Sequence, residues 1–337
     1  MTIRDRDAIF HTAGQRLDSN RAQAQRVLLF FLAITTALTV AVSLISVLLS
    51  DRISETGGLR NMGLRSVLST GQNVLPLIQS AVLLGLQMGY TTMCLHISRG
   101  EPIPGDTLLG GFRRFFPLLI SQLLLGLIYT GVAFMSIYAG TYLFMLLPAS
   151  DRFYEILSPV LNSATVLSDA AVLDEATLAA AVQAMVPMLG ISAVLFLLVF
   201  IPMHYRYRMV IYRLIDQPRP GALAALRESR FMMRRNRLAL FRLDLRLWWY
   251  YLLQVLMVVV LYGDTLLALL GIFLPMSGTA AYFLFMGLSL ALQWGVSWFF
   301  MNRVEVTYAL AYDALLPKEQ EVQPSPQPPA VPWQNQY

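Results

Sequence analysis

Charge is scarce in this sequence. Only 13% of its 337 residues are charged and 56% are hydrophobic, whereas soluble domains carry about 25% charged residues. A soluble core cannot bury this much apolar surface, so the composition excludes an ordinary soluble globular domain. Among the 25 basic residues only Lys318 is a lysine. Arginine therefore carries almost all of the positive charge.

Cysteine and histidine are also scarce, and this limits the chemistry open to the chain. The single cysteine, Cys94, excludes an intramolecular disulfide and a multi-cysteine metal site. His96 and His204 lie near the ends of apolar runs, but no third ligand has a suitable spacing for a metal. We therefore predict no metal, no cofactor and no catalytic residue, and we expect a protein that is not an enzyme. A carboxylate converging with these two histidines would favour a membrane enzyme instead.

Long apolar runs are abundant. A helix that crosses the ~30 Å hydrocarbon core needs about 20 apolar residues. Six runs approach or exceed this length: 27–49, 73–97, 115–147, 186–203, 247–262 and 280–301. The sequence therefore predicts an all-α, polytopic transmembrane helix bundle of about six spans within residues 27–316. A partly amphipathic segment precedes each pair of spans, at 1–26, 101–114 and 218–246, and this pattern indicates three related hairpins.

The distribution of basic residues predicts the orientation of the bundle. Basic residues near span ends stay in the cytoplasm. Of the 25, 21 lie in the segments 1–26, 98–114, 204–246 and 302–337. Both termini are therefore expected in the cytoplasm, with an acidic insertion at 148–187 on the opposite side. The N-terminal segment 1–26 lacks the features of a signal peptide. The proline-rich tail at 317–337 is expected to be disordered.

An arginine-rich segment at 220–240 is the clearest candidate for function. Arg227, Arg230, Arg234 and Arg237 recur at spacings of three, four and three, with Arg235 beside them. On one helix this spacing puts the four on one face. Such a basic amphipathic helix is typical of a surface that contacts anionic lipid headgroups of the inner leaflet or recruits a protein partner. The alternative is that it only enforces topology. Nucleic acid is not expected as a partner, because the segment lies between two spans and has no recognised nucleic-acid fold.

Glutamines within the apolar runs suggest a second function. They are Gln79, Gln87, Gln122, Gln254 and Gln293. These amides either bridge helices or line a polar path through the bundle. A polar path would make the protein an uncoupled transporter of small molecules or lipids. A coupled transporter is less favoured, because the ionisable residues that such proteins place in the membrane are nearly absent from the runs.

Two further patterns predict local contacts. Asp244 lies two positions from both Arg242 and Arg246 and is expected to neutralise them. The small-xxx-small spacing that allows close helix approach occurs at Gly85 and Gly89, and again at Gly287, Ala291 and Gly295.

One stretch of the chain, residues 89–115, resembles a bacterial membrane-protein family described as domain-of-unknown-function family 975. It shares with that family a helix end, an Arg-Gly-Glu turn and a Gly-Phe-basic-basic helix entry. The matching positions are Gly89, Arg99, Gly100, Glu101, Leu108, Gly111, Phe112 and Arg113.

Later segments are similar to the same family. One runs from Tyr205 through the arginine-rich segment to Leu245, and a weaker match follows the last apolar run at Glu305, Thr307, Tyr308, Ala309 and Tyr312. The resemblance implies a multi-pass protein of the bacterial plasma (inner) membrane. It brings no assigned activity and no catalytic residue.

Overall fold

The structure is a computed structural model that describes residues 5–55, 62–148, 150–151, 153–155, 158, 175–217, 221–269 and 278–316. Within these ranges all regular structure is helical, which confirms the predicted all-α, polytopic helix bundle. Two predicted segments fall outside them: the centre of the acidic insertion at 148–187, and the whole proline-rich tail at 317–337.

The described helices differ widely in length. In chain order they are α1 Arg6–Ser19, α2 Arg21–Glu55, α3 Met62–Arg99, α4 Thr107–Gly110, α5 Phe115–Met145, α6 Glu175–Tyr207, α7 Val210–Asp216, α8 Ala222–Met232, α9 Arg237–Arg246, α10 Trp248–Leu261, α11 Gly263–Leu269, α12 Gly278–Val296 and α13 Asn302–Leu315. A 3-10 turn joins α4 to α5, and a π-helical turn joins α12 to α13. Five stretches of these helices are long and apolar enough to cross a membrane.

The fifth predicted span, 247–262, differs from the other five. It corresponds to α10, which has 14 residues and is therefore only about 21 Å long at 1.5 Å per residue. The hydrocarbon core is ~30 Å thick. α9 precedes α10 across a bend of 71°. The chain thus has five candidate spans, or six if this bent pair counts as one.

Consecutive spans pack as three hairpins: α2 with α3, α5 with α6, and α10 with α12. This pairing matches the three hairpins that the lead-in segments predict. Along the spans most large apolar side chains are exposed, such as Phe116 (73%), Leu127 (71%) and Leu198 (66%). Exposing so much apolar surface to water is unfavourable, whereas lipid tails are as apolar as leucine. The surface of the bundle therefore suits a bilayer.

The tightest packing lies at one end of the bundle, which we call the core end. There α1 packs against α13, and the C-terminal part of α3 joins them together with α7 and α9. Ile9, Tyr90, Met93 and Tyr312 are buried in this region. The close packing of these helices therefore restricts the movement of the polar side chains at the core end.

Glycines explain how α4 approaches α3. A Cβ at Gly89 would lie 2.2 Å from a carbonyl oxygen of α4, and a Cβ at Gly111 would lie 2.2 Å from the carbonyl oxygen of Gly85. The close approach predicted at Gly85 and Gly89 thus occurs within one chain. At Gly287 and Gly295 a Cβ would meet no atom of the described residues within 4 Å, so the close contact expected there is not seen in that part of the chain.

The arginine-rich stretch at 220–240 differs from the single helix that its spacing predicts. α8 ends at Met232, a turn occupies 233–236, and α9 begins at Arg237. The side-chain amide of Asn236 donates a hydrogen bond to the carbonyl oxygen of Met232 (2.9 Å). This bond satisfies a carbonyl that the end of α8 leaves without a helical partner. Arg234 consequently lies in the turn, and the four regularly spaced arginines do not share one helix face.

Candidate functional site

Four arginines form an exposed group at the end of α8, which we call the arginine surface: Arg227, Arg230, Arg234 and Arg235. None of them takes part in a salt bridge within the described ranges. Arg237, also predicted to belong to this group, is only partly exposed. Its Nε atom is buried and has no hydrogen-bond partner among the described residues.

Large apolar side chains accompany the arginine surface. Arg227, Arg234 and Arg235 border an open depression whose wall includes Phe231. The Phe231 ring is 79% exposed and Leu238, at the start of α9, is 72% exposed. Three guanidinium groups and the Phe231 ring therefore border the same depression at the end of α8. This combination suits the boundary between lipid headgroups and acyl chains.

The predicted intramembrane glutamines have different surroundings. The Gln79 amide donates to the Thr39 hydroxyl (3.1 Å) and so bridges α3 to α2. Gln87 lines two separate cavities, one of about 370 Å³ with Gln122 and one of about 220 Å³ with Gln293. Gln254 lines neither cavity and interacts with the Tyr250 hydroxyl. The structure thus brings three of the five glutamines to a pair of cavities that meet at Gln87.

Beside the larger cavity lies a buried ion pair with tyrosine partners, the Arg208 cluster. Arg208 donates to the Asp244 carboxylate (2.6 Å) and to the Tyr251 hydroxyl (2.6 Å). Its guanidinium lies 4.3 Å from the centre of the Tyr308 ring. Asp244 is 7% exposed and also accepts hydrogen bonds from the hydroxyls of Tyr205 and Tyr308 (2.6 Å each). Each charge in the cluster is therefore matched and hydrogen-bonded, as burial requires.

The partners of Asp244 differ from those expected. Its proximity in sequence predicts pairing with Arg242 and Arg246, but Arg246 contacts Asp7 on α1 instead. In the structure Asp244 pairs with Arg208, which lies 36 residues earlier. Neutralisation by sequence neighbours is therefore corrected to an ion pair between α9 and the segment joining α6 to α7.

The cavity next to the Arg208 cluster, which we call the tyrosine cavity, has a volume of about 370 Å³. Five tyrosines contribute to its wall: Tyr207, Tyr212, Tyr250, Tyr251 and Tyr308. Its polar wall also includes Gln87, Gln122, His204 and the carboxylate of Glu305. Glu305 interacts with Tyr212 and Tyr250. No basic side chain of the described ranges forms a salt bridge with it.

A second charged group ties helix ends together at the core end. Arg99, at the end of α3, pairs with Asp216 at the end of α7 (2.8 Å) and with Asp313 on α13 (2.9 Å). Arg213 contacts Glu228 and so links α7 to α8. After Arg99 the chain turns at a glycine whose φ is +73°, a conformation that favours glycine. The Arg-Gly-Glu turn is therefore a structural junction.

The histidines do not converge. His96 Nδ1 lies 2.7 Å from a carboxylate oxygen of Glu101, while the His204 ring stacks on Phe200 and lines the tyrosine cavity. Among the residues with described positions, no group of three or more His, Cys, Asp or Glu side chains could hold a metal. The absence of enzymatic activity stays a prediction.

The sequence does not predict the tyrosine cavity, because its charged residues lie beyond the apolar runs. Arg208 follows the fourth run, and Glu305 follows the sixth. The only signal was the density of tyrosine and charge in the segments 205–213 and 305–312. Both segments also carry part of the family resemblance.

Comparison with known proteins identifies the family without adding an activity. The family model described as "Protein of unknown function (DUF975)" matches residues 4–316, a range that includes every candidate span, the arginine surface and the tyrosine cavity. No curated protein and no solved structure matches the chain. The family resemblance noted in the sequence is therefore confirmed, and the chain is a membrane protein that belongs to the DUF975 family of proteins of unknown function.

Proposed function

We propose that this protein is a multi-pass protein of the bacterial plasma (inner) membrane that binds anionic lipid headgroups of the inner leaflet through the arginine surface. The proposed role is binding and involves no chemical reaction. A protein partner with an acidic surface is the competing ligand for the same arginines.

One observation carries the proposal: exposed arginines that form no salt bridge with any described residue stand beside the exposed Phe231 side chain. Arg227, Arg234 and Arg235 border the depression that contains Phe231. An aromatic ring with 79% exposure gains free energy when it enters the acyl region, and adjacent guanidinium groups bind phosphates by paired hydrogen bonds. A membrane interface uses both kinds of side chain, because the headgroups take the arginines and the acyl region takes the ring.

Lipid retention by the purified full-length protein tests the proposal. We expect detergent-purified protein to retain phosphatidylglycerol in preference to phosphatidylcholine, as measured by native mass spectrometry. Each basic residue near anionic lipid contributes about 1 kcal/mol. Replacing Arg227, Arg230 and Arg234 by glutamine should therefore weaken the preference by up to roughly a hundredfold.

The matched control removes the same number of charges elsewhere. Arg6, Arg21 and Arg26 are exposed residues of α1 and α2, and a variant with glutamine at all three positions should keep most of the preference. An equal loss in both triple variants would show that net charge, and not the arginine surface, selects the lipid. Unchanged retention in the first variant would contradict the proposal.

The paired cavities at Gln87 favour a second candidate function, uncoupled transport. Amides from α3, α5 and α12 line them, as a polar path for a solute requires. If the cavities form such a path, cysteine introduced at Gln122 will react with water-soluble thiol reagents and a bulky adduct there will block solute flux in proteoliposomes. If the cysteine at position 122 does not react with these reagents, the result would count against transport.

A further inference from the structure

Acidic side chains outnumber basic ones at the tyrosine cavity and the adjoining Arg208 cluster. Arg208 supplies one positive charge, and Asp244 already matches it at 2.6 Å. Glu305 adds a second carboxylate that interacts with Arg208 only at longer range. A neutral His204 imidazole, the form that predominates at pH 7, adds no charge. With Glu305 ionised, the cavity and its adjoining cluster therefore carry one uncompensated negative charge.

The remaining wall consists of groups that suit a cation. Tyrosine rings attract cations through their negative faces, and the hydroxyl and amide oxygens of Tyr212, Gln87 and Gln122 can accept hydrogen bonds. Arg208 is unavailable to an anion, because its guanidinium is occupied by Asp244, by the Tyr251 hydroxyl and by the face of the Tyr308 ring.

The size of the cavity narrows the choice of cation. A volume of about 370 Å³ exceeds what a dehydrated metal ion fills. Calcium sites usually combine several carboxylates with carbonyl oxygens, whereas a single carboxylate, that of Glu305, lines this cavity among the described residues. Rings and a single carboxylate around a space of this size are instead the features of sites for organic ammonium groups.

We propose that the tyrosine cavity binds the ammonium group of a small organic amine or of an amine-bearing lipid headgroup, with Glu305 as its counter-ion. Binding at this site is independent of the arginine surface, which is proposed to take ligands of the opposite charge and lies on α8 and the turn after it. The cavity is lined instead by α3, α5, α6, α7, α10 and α13.

Binding of ethanolamine and choline to the purified full-length protein tests the proposal. We expect each chloride salt to raise the thermal midpoint above that in sodium chloride of equal ionic strength, and titration calorimetry to give saturable binding. Glu305→Gln removes the charge and keeps the shape, so the affinity should fall at least tenfold. Glu101→Gln is the matched control, since Glu101 contacts His96 in a different cavity, and it should leave the affinity unchanged.

A second pair of variants keeps the test valid if Glu305→Gln folds poorly. Tyr250→Phe retains the ring and should keep the affinity within about twofold. Tyr250→Leu removes the ring, and a cation–π contact of about 1 to 2 kcal/mol corresponds to a loss of roughly tenfold. Equal affinities in these two variants would overturn the aromatic part of the site.

The source of the ammonium group is distinguished in nanodiscs that contain phosphatidylethanolamine and phosphatidylglycerol. Retention of phosphatidylethanolamine that depends on Glu305, without binding of free ethanolamine, identifies a lipid headgroup. Binding of free ethanolamine without such retention identifies a soluble amine. Either result supports the site. If neither amine nor lipid binding depends on Glu305, the proposal is wrong.

Discussion

At the scale of single residues, the Arg208 cluster shows how the core end accommodates charge. Asp244 accepts three hydrogen bonds, from Arg208, Tyr205 and Tyr308. Removing one partner of a buried ion pair lowers the stability of the fold by more than the pair as a whole contributes, because the other charge remains buried without compensation. Substitutions that test ligand binding in the tyrosine cavity should therefore leave Arg208 and Asp244 intact.

Asp244→Ala should lower the free energy of unfolding by about 3 to 5 kcal/mol, because it leaves the Arg208 guanidinium buried without its counter-ion. The measurement is reversible unfolding in detergent, or the thermal midpoint if unfolding is irreversible. Asp7→Ala is the control, since the Asp7 side chain is 91% exposed and surface ion pairs contribute about 0 to 1 kcal/mol. Equal stability of the two variants would contradict this account of the cluster.

At the scale of elements, the contact of α4 with α3 depends on the absence of side chains. Gly89 lies against the backbone of α4, and Gly111, in the 3-10 turn that follows α4, lies against the backbone of α3. Such contacts bring α4 close enough for Arg114 to donate to the Leu214 carbonyl oxygen (2.7 Å) at the end of α7. The glycines thus position the entry to α5.

Gly89→Ala should destabilise the protein by about 1 to 3 kcal/mol, the usual cost of overpacking, because its Cβ would lie 2.2 Å from a backbone oxygen of α4. Gly287→Ala provides the opposite case within α12. No described atom lies within 4 Å of its added Cβ, so the higher helix propensity of alanine should stabilise it by up to about 1 kcal/mol. Comparing both thermal midpoints with that of the wild type checks the prediction. A midpoint of Gly89→Ala equal to the wild type would refute it.

Elements were easier to predict than contacts. The apolar runs locate the long helices, because a helix in lipid must be apolar along its whole crossing. The break at 233–236 was missed, since arginine spacing alone does not show that Asn236 will bond to a carbonyl of α8. The tyrosine cavity was missed for a different reason. Asp244 and Tyr308 are 64 residues apart, and a single sequence contains no information that pairs them.

At the scale of the whole molecule, the five or six candidate spans do not determine which side of the bundle faces the cytoplasm. The orientation is predicted from the distribution of basic residues alone. The arginine surface and the segment after α5 lie on opposite sides of the membrane if that prediction holds. Lipid binding at the inner leaflet requires the arginine surface to face the cytoplasm, so topology and proposed function can be tested together.

Cysteine labelling in intact cells gives the test. Cys94 has no exposed surface and should stay unreactive, so it need not be removed. Tyr154→Cys, at a position that is 45% exposed, should react with a membrane-impermeant maleimide added outside. Arg235→Cys should react only after the membrane is permeabilised. Labelling of Arg235→Cys in intact cells would reverse the orientation and remove the basis for inner-leaflet binding.

The packing of α1 against α13 has a consequence for biosynthesis. α1 contains the first described helical residues and α13 the last, yet Ile9, Ala13, Val306 and Ala309 belong to one hydrophobic cluster. The ribosome must therefore synthesise every span before α1 can complete this cluster with α13. Until that moment the nascent chain presents an unfinished interior to chaperones and quality-control proteases, and a stop codon anywhere before α13 would leave it permanently in that state.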